Sequence, residues 1–375
     1  MSDDDSDDEI EPVESAAAIT APAPRENPGL IGHAAAEAVL LASYGSGRLP
    51  HAWLLTGPHG IGKATLAFRF ARFLFAQPTA GPGLFGAPPP PTSLEILAND
   101  PVFRRVASGG HADLLVVERG IDPRRRRLRS EIVVADTRTV AGFLRLTPAE
   151  GGWRVVIIDG ADTMNRNAAN AVLKILEEPP ARAVLLLVSD NPGRLLPTIR
   201  SRCRTLALKA LPQAEIEAAL ARYRGDLGGE ERAVLARLAN GSIGRALSLA
   251  GAGGMGLYRN LFKLLERLPE IDGEALSGFA DGLARNGGED GFALVAELLP
   301  GWLARMVTLA AGGGGEAVLP GEAAVMRRIS ARAGLDHWVA VWENLTRLFA
   351  EADSINLDRK QVVLNAFFAL EAAAR

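Results

Sequence analysis

The stretch WRVVIIDGADTMNRNAANAVLKILEEPP, residues 153–180, decides the fold. It opens with four consecutive β-branched residues, 155–158, and a run that is apolar at every position is typical of a strand buried on both faces of a parallel sheet. Asn165 is a favourable N-cap for a helix, and the sequence EEPP ends that helix. Asp159 is therefore expected at the carboxyl end of the strand, where open α/β sheets bind their ligands.

A candidate phosphate-binding loop lies upstream of this strand, in GPHGIGK, residues 57–63. This segment matches Gly-x4-Gly-Lys between a predicted strand and a predicted helix. Glycines allow backbone N–H groups to surround phosphate oxygens, the helix N-terminus adds a favourable field, and Lys63 would reach the β- and γ-phosphates. The alternative is a glycine-rich turn with an exposed lysine, but the flanking strand and helix favour the phosphate site. The predicted nucleotide contacts are Gly57, Gly60, Gly62, Lys63, Thr65 and Asp159.

Two positions depart from an active nucleotide hydrolase. Ala64 stands where a serine or threonine hydroxyl would hold Mg²⁺, and Thr65 cannot replace it because it lies about 100° further round the helix. Gly160 stands where a glutamate would activate water beside Asp159. The sequence is thus compatible with ATP binding, leaves Mg²⁺ retention open, and predicts little hydrolysis.

Length and composition limit the class of protein. With 375 residues the chain exceeds one ordinary hydrophobic core, and its net charge of −3 argues against general coating of nucleic acid. The single cysteine excludes a disulfide framework and a cysteine-based zinc site. No uninterrupted apolar run reaches the ~18 residues of a membrane span, and the N-terminus is acidic. We therefore expect a cytoplasmic protein without a membrane segment or a signal peptide.

The chain divides into four predicted regions. Residues 1–28 contain an acidic run and Ala/Pro repeats, which predict a disordered tail whose role the sequence does not indicate. Residues 29–209 alternate apolar strands with helices, which predicts an α/β domain of the P-loop NTPase class. Residues 210–250 contain three short helices and form a predicted lid. Residues 251–375 contain longer amphipathic helices and form a predicted all-α domain.

Four stretches resemble AAA+ ATPases of the bacterial clamp-loader family. They are LIGHAAAEAVL (30–40), RLPHAWLLTGPHGIGKATLA (48–67), VVIIDGADTMNRNAANAVLKILEEPP (155–180) and LPTIRSRC (196–203). The resemblance covers roughly residues 29–250, and beyond that it extends only to length and helical character. It implies an AAA+ parallel sheet with a helical lid, followed by a collar-type domain through which subunits assemble.

The resemblance implies roles for residues outside the P-loop. The Ser-Arg-Cys sequence around Arg202 matches a family motif whose arginine reaches the nucleotide of the neighbouring subunit, so Arg202 is the implied arginine finger in trans. Ser189 and Asn191 lie at the end of an apolar strand predicted over residues 183–189, where the family keeps a polar sensor, and Arg245 lies one position away from the sensor arginine of the lid. The alternatives are a surface arginine at 202 beside a buried thiol, and a strand cap and turn at 189 and 191.

One dense basic cluster offers a DNA contact. It contains Arg129 and the four consecutive residues Arg124, Arg125, Arg126 and Arg127. Clamp loaders hold primed DNA through its backbone, and arginines suit phosphate contacts. A solvated loop explains the cluster equally well.

The region 77–93 departs from the family. Many members carry a four-cysteine zinc module there, whereas this stretch is Pro-rich and has no cysteine, so we expect no zinc. The sequence does not indicate what the Pro-rich stretch does. A helix is predicted to follow it over residues 94–107.

Two functions fit the sequence. In the first, the chain is an arginine-supplying subunit of the loader in the bacterial DNA polymerase III holoenzyme. It would act with delta and gamma/tau subunits to place the sliding clamp on primed DNA, with little ATPase activity of its own. In the second, it is an active motor subunit, with Asp162 or Asp159 compensating for the missing glutamate. A P-loop kinase of small molecules would leave the Arg202 motif and the helical C-terminal third unexplained.

Overall fold

In the residues that the structure describes, five parallel strands form one sheet. The computed structural model describes residues 21–77, 91–122, 128–150, 152–286, 288–314, 317–355 and 357–375. The strands are β1 (Ala52–Thr56), β2 (Leu114–Val117), β3 (Arg154–Asp159), β4 (Ala183–Ser189) and β5 (Arg204–Ala207). Their order is β2-β3-β4-β1-β5, and each neighbouring pair is parallel. All carboxyl ends therefore lie at one edge, called the carboxyl edge below, and all starts lie at the opposite, amino edge.

Helices surround the sheet, and from Gln213 onwards all described elements are helices. They are α1 (Ala34–Gly45), α2 (Lys63–Ala76), α3 (Pro101–Ala107), α4 (Val134–Arg145), α5 (Arg166–Glu177), α6 (Pro197–Arg200), α7 (Gln213–Tyr223), α8 (Gly229–Leu238), α9 (Ile243–Gly251), α10 (Gly254–Glu266), α11 (Gly273–Asn286), α12 (Gly288–Ala310), α13 (Glu322–Ser330), α14 (Leu335–Ile355) and α15 (Arg359–Ala374). The predicted α/β class, with a P-loop between β1 and α2, is confirmed.

The central stretch folds as its apolar pattern predicts. Residues 155–158 of β3 are fully buried. Val155 and Ile157 pack in the layer that contains α2, and Val156 and Ile158 pack in the layer that contains α5. Both faces of the strand are covered, which is why no polar residue interrupts the run. Asn165 caps α5, since its side chain accepts a hydrogen bond from the backbone N–H of Ala168 at 3.0 Å.

The helix predicted over 94–107 is wrong in its first part. Helix α3 begins only at Pro101, because Asp100 caps it by accepting from the N–H of Val102 and proline suits the first helical position. Leu94 precedes the helix and is buried in the core of the α/β domain.

The boundary at residue 28 also needs correction. Two buried arginines of α2, Arg69 and Arg72, hold the backbone of the preceding segment. Arg69 donates to the carbonyl of Pro28 at 2.8 Å, and Arg72 donates to those of Arg25 and Asn27 at 3.2 and 2.8 Å. Residues 25–28 thus belong to the folded domain, while the acidic run itself lies outside the described residues.

One hydrophobic cluster runs through the helical half, from Leu211 to Ala374. It includes the fully buried rings of Tyr258, Trp302 and Trp338. The cluster crosses the predicted boundary at residue 250, so the short helices α7–α9 and the longer helices that follow share a core. The division into a lid and a C-terminal domain stays a prediction.

Helix α12 contains the described segment whose length and composition suit a membrane span, Gly291–Ala310. Half of that window is buried within the fold, where Trp302, Leu303 and Met306 are enclosed. A core helix passes the same test, and the burial of these side chains is what a core helix shows.

Candidate functional site

The loop between β1 and α2 has the backbone that the glycine pattern predicts. Gly57, Gly60 and Gly62 have φ angles of 145°, 72° and 106°, which favour glycine. A Cβ on Gly57 would lie 2.4 Å from the carbonyl oxygen of Leu208, and one on Gly60 would lie 2.5 Å from Oγ of Ser242. Both contacts show how closely the loop packs against its neighbours, and a larger residue at either position would displace them.

This loop borders a cavity of about 970 Å³ at the carboxyl edge of the sheet. The cavity brings together most of the predicted nucleotide-site residues: Gly60, Gly62, Lys63, Thr65, Asp159 and Asn191. Gly57, Ser189 and Arg245 are not among its lining residues. Their predicted roles are not tested by this placement.

Lys63 is the buried cation of the site, with a side chain that is 3% exposed. Its ammonium donates to the carbonyl oxygens of Gly57, at 2.8 Å, and of Pro58. It also lies 2.7 Å from Oδ1 of Asp190. An ammonium has three N–H donors, and each of them has an acceptor within the protein.

Asp190 is held in turn by its surroundings. Its second carboxylate oxygen lies 2.7 Å from Nδ1 of His59. Asp162 accepts the backbone N–H groups of Asp190 and Asn191, both at 3.2 Å. Burial raises the pKa of Asp190, but hydrogen bonds from Lys63 and His59 outweigh burial, so the pKa lies below its usual value. Asp162 therefore fixes the loop after β4, which leaves it poorly placed to replace the missing glutamate.

Asp159 is the last residue of β3, at its carboxyl end as predicted, and it lines the cavity. Burial raises its pKa, and the nearby carboxylates of Glu118 and Asp190 raise it further, against the opposing effects of Lys63 and His59. The position after Lys63 carries only the methyl group of alanine. In this arrangement the residues do not fit a magnesium-bound triphosphate.

The predicted lid directly contacts the glycine-rich loop of residues 57–63, which is called the cradle below. The backbone N–H of Gly244 donates to the carbonyl oxygen of Gly60 at 2.9 Å, and Ser242 caps α9 by accepting from the N–H of Arg245 at 3.1 Å. The guanidinium of Arg245 forms an ion pair with Glu297 of α12. Arg245 comes directly after Gly244, the residue that contacts the loop. One position along a helix is a rotation of about 100°, so the side chain of Arg245 is directed elsewhere.

The two sensor candidates after β4 differ in their contacts. Ser189 is fully buried beside Thr56 of β1, and its hydroxyl has no hydrogen-bond partner among the described residues. Asn191 accepts the backbone N–H of Gly193 at 3.1 Å, which is the turn foreseen as the alternative. Sensor roles for both residues stay predictions.

Arg202 lies at the opposite edge of the sheet from the cradle, just before the start of β5. Trp53 at the beginning of β1 pairs with Arg204, whereas the cradle follows the end of β1. Along the strands the two sites are on the order of 13 Å apart, at roughly 3.3 Å per residue. The guanidinium pairs with Glu177 at 3.0 Å and donates to the carbonyl of Thr198 at 3.1 Å.

Cys203 is a buried free thiol next to Arg202. Burial raises its pKa to about 12. This agrees with a packing role for the residue.

The predicted DNA contacts cannot be placed. Arg124–Arg127 lie outside the described residues, as does most of the Pro-rich stretch, 78–90. The neighbouring Arg129 is described, and it pairs with Asp136 at 3.6 Å. DNA contact by the arginines and the expectation of no zinc both stay predictions.

Two residues of the site escaped the sequence analysis. Asp190 lies between the two sensor candidates, and its position after a predicted buried strand was the signal that could have identified it. Glu177, in the EEPP sequence that ends α5, was interpreted only as part of a helix stop.

Comparisons with known proteins agree with this geometry. Residues 32–212 match the family model described as DNA polymerase III, delta subunit. The delta prime subunit of DNA polymerase III from Pseudomonas aeruginosa is 39% identical over 203 residues, which cover 54% of this chain and 56% of that protein. The Bacillus subtilis delta prime subunit is 31% identical over 204 residues, 54% of each chain. The Escherichia coli tau subunit is 33% identical over 207 residues, 54% of this chain and 29% of tau.

Among solved structures, a gamma subunit-related protein from Thermotoga maritima matches 87% of this chain and 95% of its own, with 20% identity and a TM-score of 0.44. The chain spans about half the length of the curated delta prime relatives that it matches. The family-model match, residues 32–212, contains the cradle, the sheet and the Arg202 motif. Residues 32–212 are therefore similar to the family described as DNA polymerase III, delta subunit, and to the delta prime subunits of DNA polymerase III.

Proposed function

We propose that the protein is a delta-prime-like subunit of a bacterial clamp loader in the cytoplasm. It assembles with delta and gamma/tau subunits, and the complex places the sliding clamp on primed DNA. In this complex Arg202 stabilises the nucleotide of a neighbouring subunit, and the chain hydrolyses little ATP itself.

The position of Arg202 carries this proposal. Its side chain is 37% exposed and lies at the amino edge, away from its own cradle. A neighbouring subunit that docks on this edge would meet a guanidinium held by one exposed carboxylate, that of Glu177. An arginine supplied in trans accelerates nucleotide hydrolysis by about 10³- to 10⁵-fold. Its exposure and its distance from its own cradle support a role for Arg202 in the site of another subunit.

The cradle supports the second part of the proposal. Lys63 has all its donors engaged, and Asp162 holds the loop after β4. Gly160 supplies no carboxylate beside Asp159. Three separate features therefore argue against efficient hydrolysis in this chain.

The motor-subunit alternative has less support. The P. aeruginosa delta prime subunit shares 39% identity with this chain, whereas the E. coli tau subunit shares 33% over a similar length. The motor function also requires Lys63 and a water-activating carboxylate to be free.

The test is ATP hydrolysis by a loader reconstituted with the companion subunits of the same organism, stimulated by clamp and primed DNA. Arg202→Ala is compared with Lys63→Ala and with a matched control, Arg259→Ala. Arg259 also forms an exposed pair with a glutamate, Glu230 at 2.9 Å, but it lies on α10 in the helical half. Assembly of each variant is checked by gel filtration.

We expect Arg202→Ala to lower turnover by about tenfold or more, because the neighbour's transition state loses its stabilising charge. Lys63→Ala and Arg259→Ala should stay within about twofold of wild type. Unchanged turnover with Arg202→Ala would contradict the proposal. Loss of turnover with Lys63→Ala, in a loader that still assembles, would instead support the motor function.

A further inference from the structure

We propose that Asp190 keeps nucleotide out of the cradle, because its carboxylate occupies the place on Lys63 that a phosphate oxygen would take. The cradle then contains an anion supplied by the protein itself. This inference concerns nucleotide binding by the isolated chain. It shares the Lys63–Asp190 contact with the proposal that the chain hydrolyses little ATP, but its readout, nucleotide binding by the isolated chain, is separate from the turnover of the loader.

The coordination of Lys63 is the first observation. The ammonium is almost fully enclosed and has three acceptors, of which two are carbonyl oxygens of its own loop. The third is Oδ1 of Asp190, at 2.7 Å. The two carbonyls are neutral, so Asp190 is the charged partner of the lysine. A phosphate could reach the ammonium only by displacing this carboxylate or by lying beside it, and two anions at that distance repel each other.

The fixed position of Asp190 is the second observation. Both carboxylate oxygens of Asp162 accept N–H groups of the loop, those of Asp190 and Asn191. His59 holds the second carboxylate oxygen of Asp190 at 2.7 Å. The short 3₁₀ turn Pro192–Arg194 follows directly and is closed by Asn191. The carboxylate is therefore oriented towards Lys63 before any ligand arrives.

The remaining parts of a phosphate site are present, which is the third observation. The loop keeps its glycine conformation, with positive φ angles at Gly57, Gly60 and Gly62. The cavity beside it, at about 970 Å³, is large enough for a nucleotide, since ligand pockets commonly measure about 300–1,000 Å³. What the cradle lacks is a lysine free to bind phosphate. Removing the charge at position 190, while keeping the shape of the side chain, should restore that lysine.

The ligand class is a nucleotide with at least two phosphates, and ATP serves as the probe. The phosphates would contact Lys63 and the loop. Because Ala64 offers no oxygen to a metal ion, we expect the restored binding to depend only weakly on Mg²⁺.

The experiment measures binding of a fluorescent ATP analogue to the full chain, with unlabelled ATP as competitor, with and without Mg²⁺. Wild type is compared with Asp190→Asn and with the double variant Asp190→Asn/Lys63→Met. The matched control is Asp226→Asn, which removes an exposed carboxylate that pairs with Arg224 at 2.7 Å in the lid region. Circular dichroism shows whether each variant is folded.

We expect Asp190→Asn to lower Kd by about tenfold or more, and the double variant to return to the wild-type Kd. Asp226→Asn should leave Kd unchanged. Unchanged or weaker binding by folded Asp190→Asn would overturn the proposal, and so would tight binding that survives loss of Lys63. If Asp190→Asn does not fold, the Kd of Asp190→Ser is compared with that of wild type in its place.

Discussion

The cradle and the Arg202 edge each contain a cation paired with a carboxylate, and the two cations differ in burial although both carboxylates are partly exposed, Asp190 at 43% and Glu177 at 52%. Lys63 has a side chain that is 3% exposed and three acceptors, one of them Asp190. Arg202 is 37% exposed, and its partner Glu177 is 52% exposed. The first cation is closed off within its own chain. The second is accessible from outside, which is what its proposed contact with a neighbouring subunit requires.

Solvent determines how strongly each pair is held. Removing one partner of a buried pair leaves a charge without compensation, whereas an exposed pair contributes about 0–1 kcal/mol and exchanges readily. A neighbouring subunit can therefore compete for Arg202 at little cost. A nucleotide that competes for Lys63 must replace a partner already in place.

The largest expected effect is on stability at the cradle. Lys63→Met should lower the free energy of unfolding by about 1–3 kcal/mol, because the carbonyl oxygens of Gly57 and Pro58 and the carboxylate of Asp190 lose their donor. Arg202→Met should change it by less than about 1 kcal/mol. Urea unfolding followed by circular dichroism measures both.

The matched control is Lys360→Met. Lys360 also pairs with an aspartate, Asp281 at 2.6 Å, but its side chain is 38% exposed. We expect its loss to resemble that of Arg202→Met. Equal losses for all three variants would show that burial does not separate the cradle from the exposed pairs.

The sequence predicted those parts of the fold whose cause is local. Strands buried on both faces appear as unbroken apolar runs, and for that reason β3 and β4 were correctly predicted. The glycines of the cradle and the cap at Asn165 also leave local signals.

Contacts between distant segments left no such signal. Asp190 meets Lys63 only because β4 lies next to β1 in the sheet, an order that no local pattern specifies. Likewise, residues 25–28 join the folded domain because Arg69 and Arg72 of α2 hold their carbonyls. Composition alone assigned that segment to the tail.

A smaller effect is expected when Glu177, the carboxylate partner of Arg202, is replaced. Glu177→Gln removes the charge that holds Arg202, so the guanidinium is freer to reach a neighbour's nucleotide. Turnover of the reconstituted loader should rise, by up to about fivefold, which corresponds to the upper range of an exposed pair. The control is Glu230→Gln, which frees Arg259 in the helical half. A fall in turnover would instead mean that Glu177 positions the arginine for the neighbour.

Cys203, directly after the exposed arginine, is expected to stay unreactive in the native protein. Its thiol is buried, and burial raises its pKa to about 12, so at pH 8 the group is protonated and is a poor nucleophile. Native protein should therefore react with Ellman's reagent at least about 100-fold more slowly than protein unfolded in urea. Rapid reaction of the native chain would mean that this edge opens beyond Arg202 itself. The two regions would then differ in mobility as well as in burial, with a closed cradle at one edge and a mobile segment around Arg202 at the other.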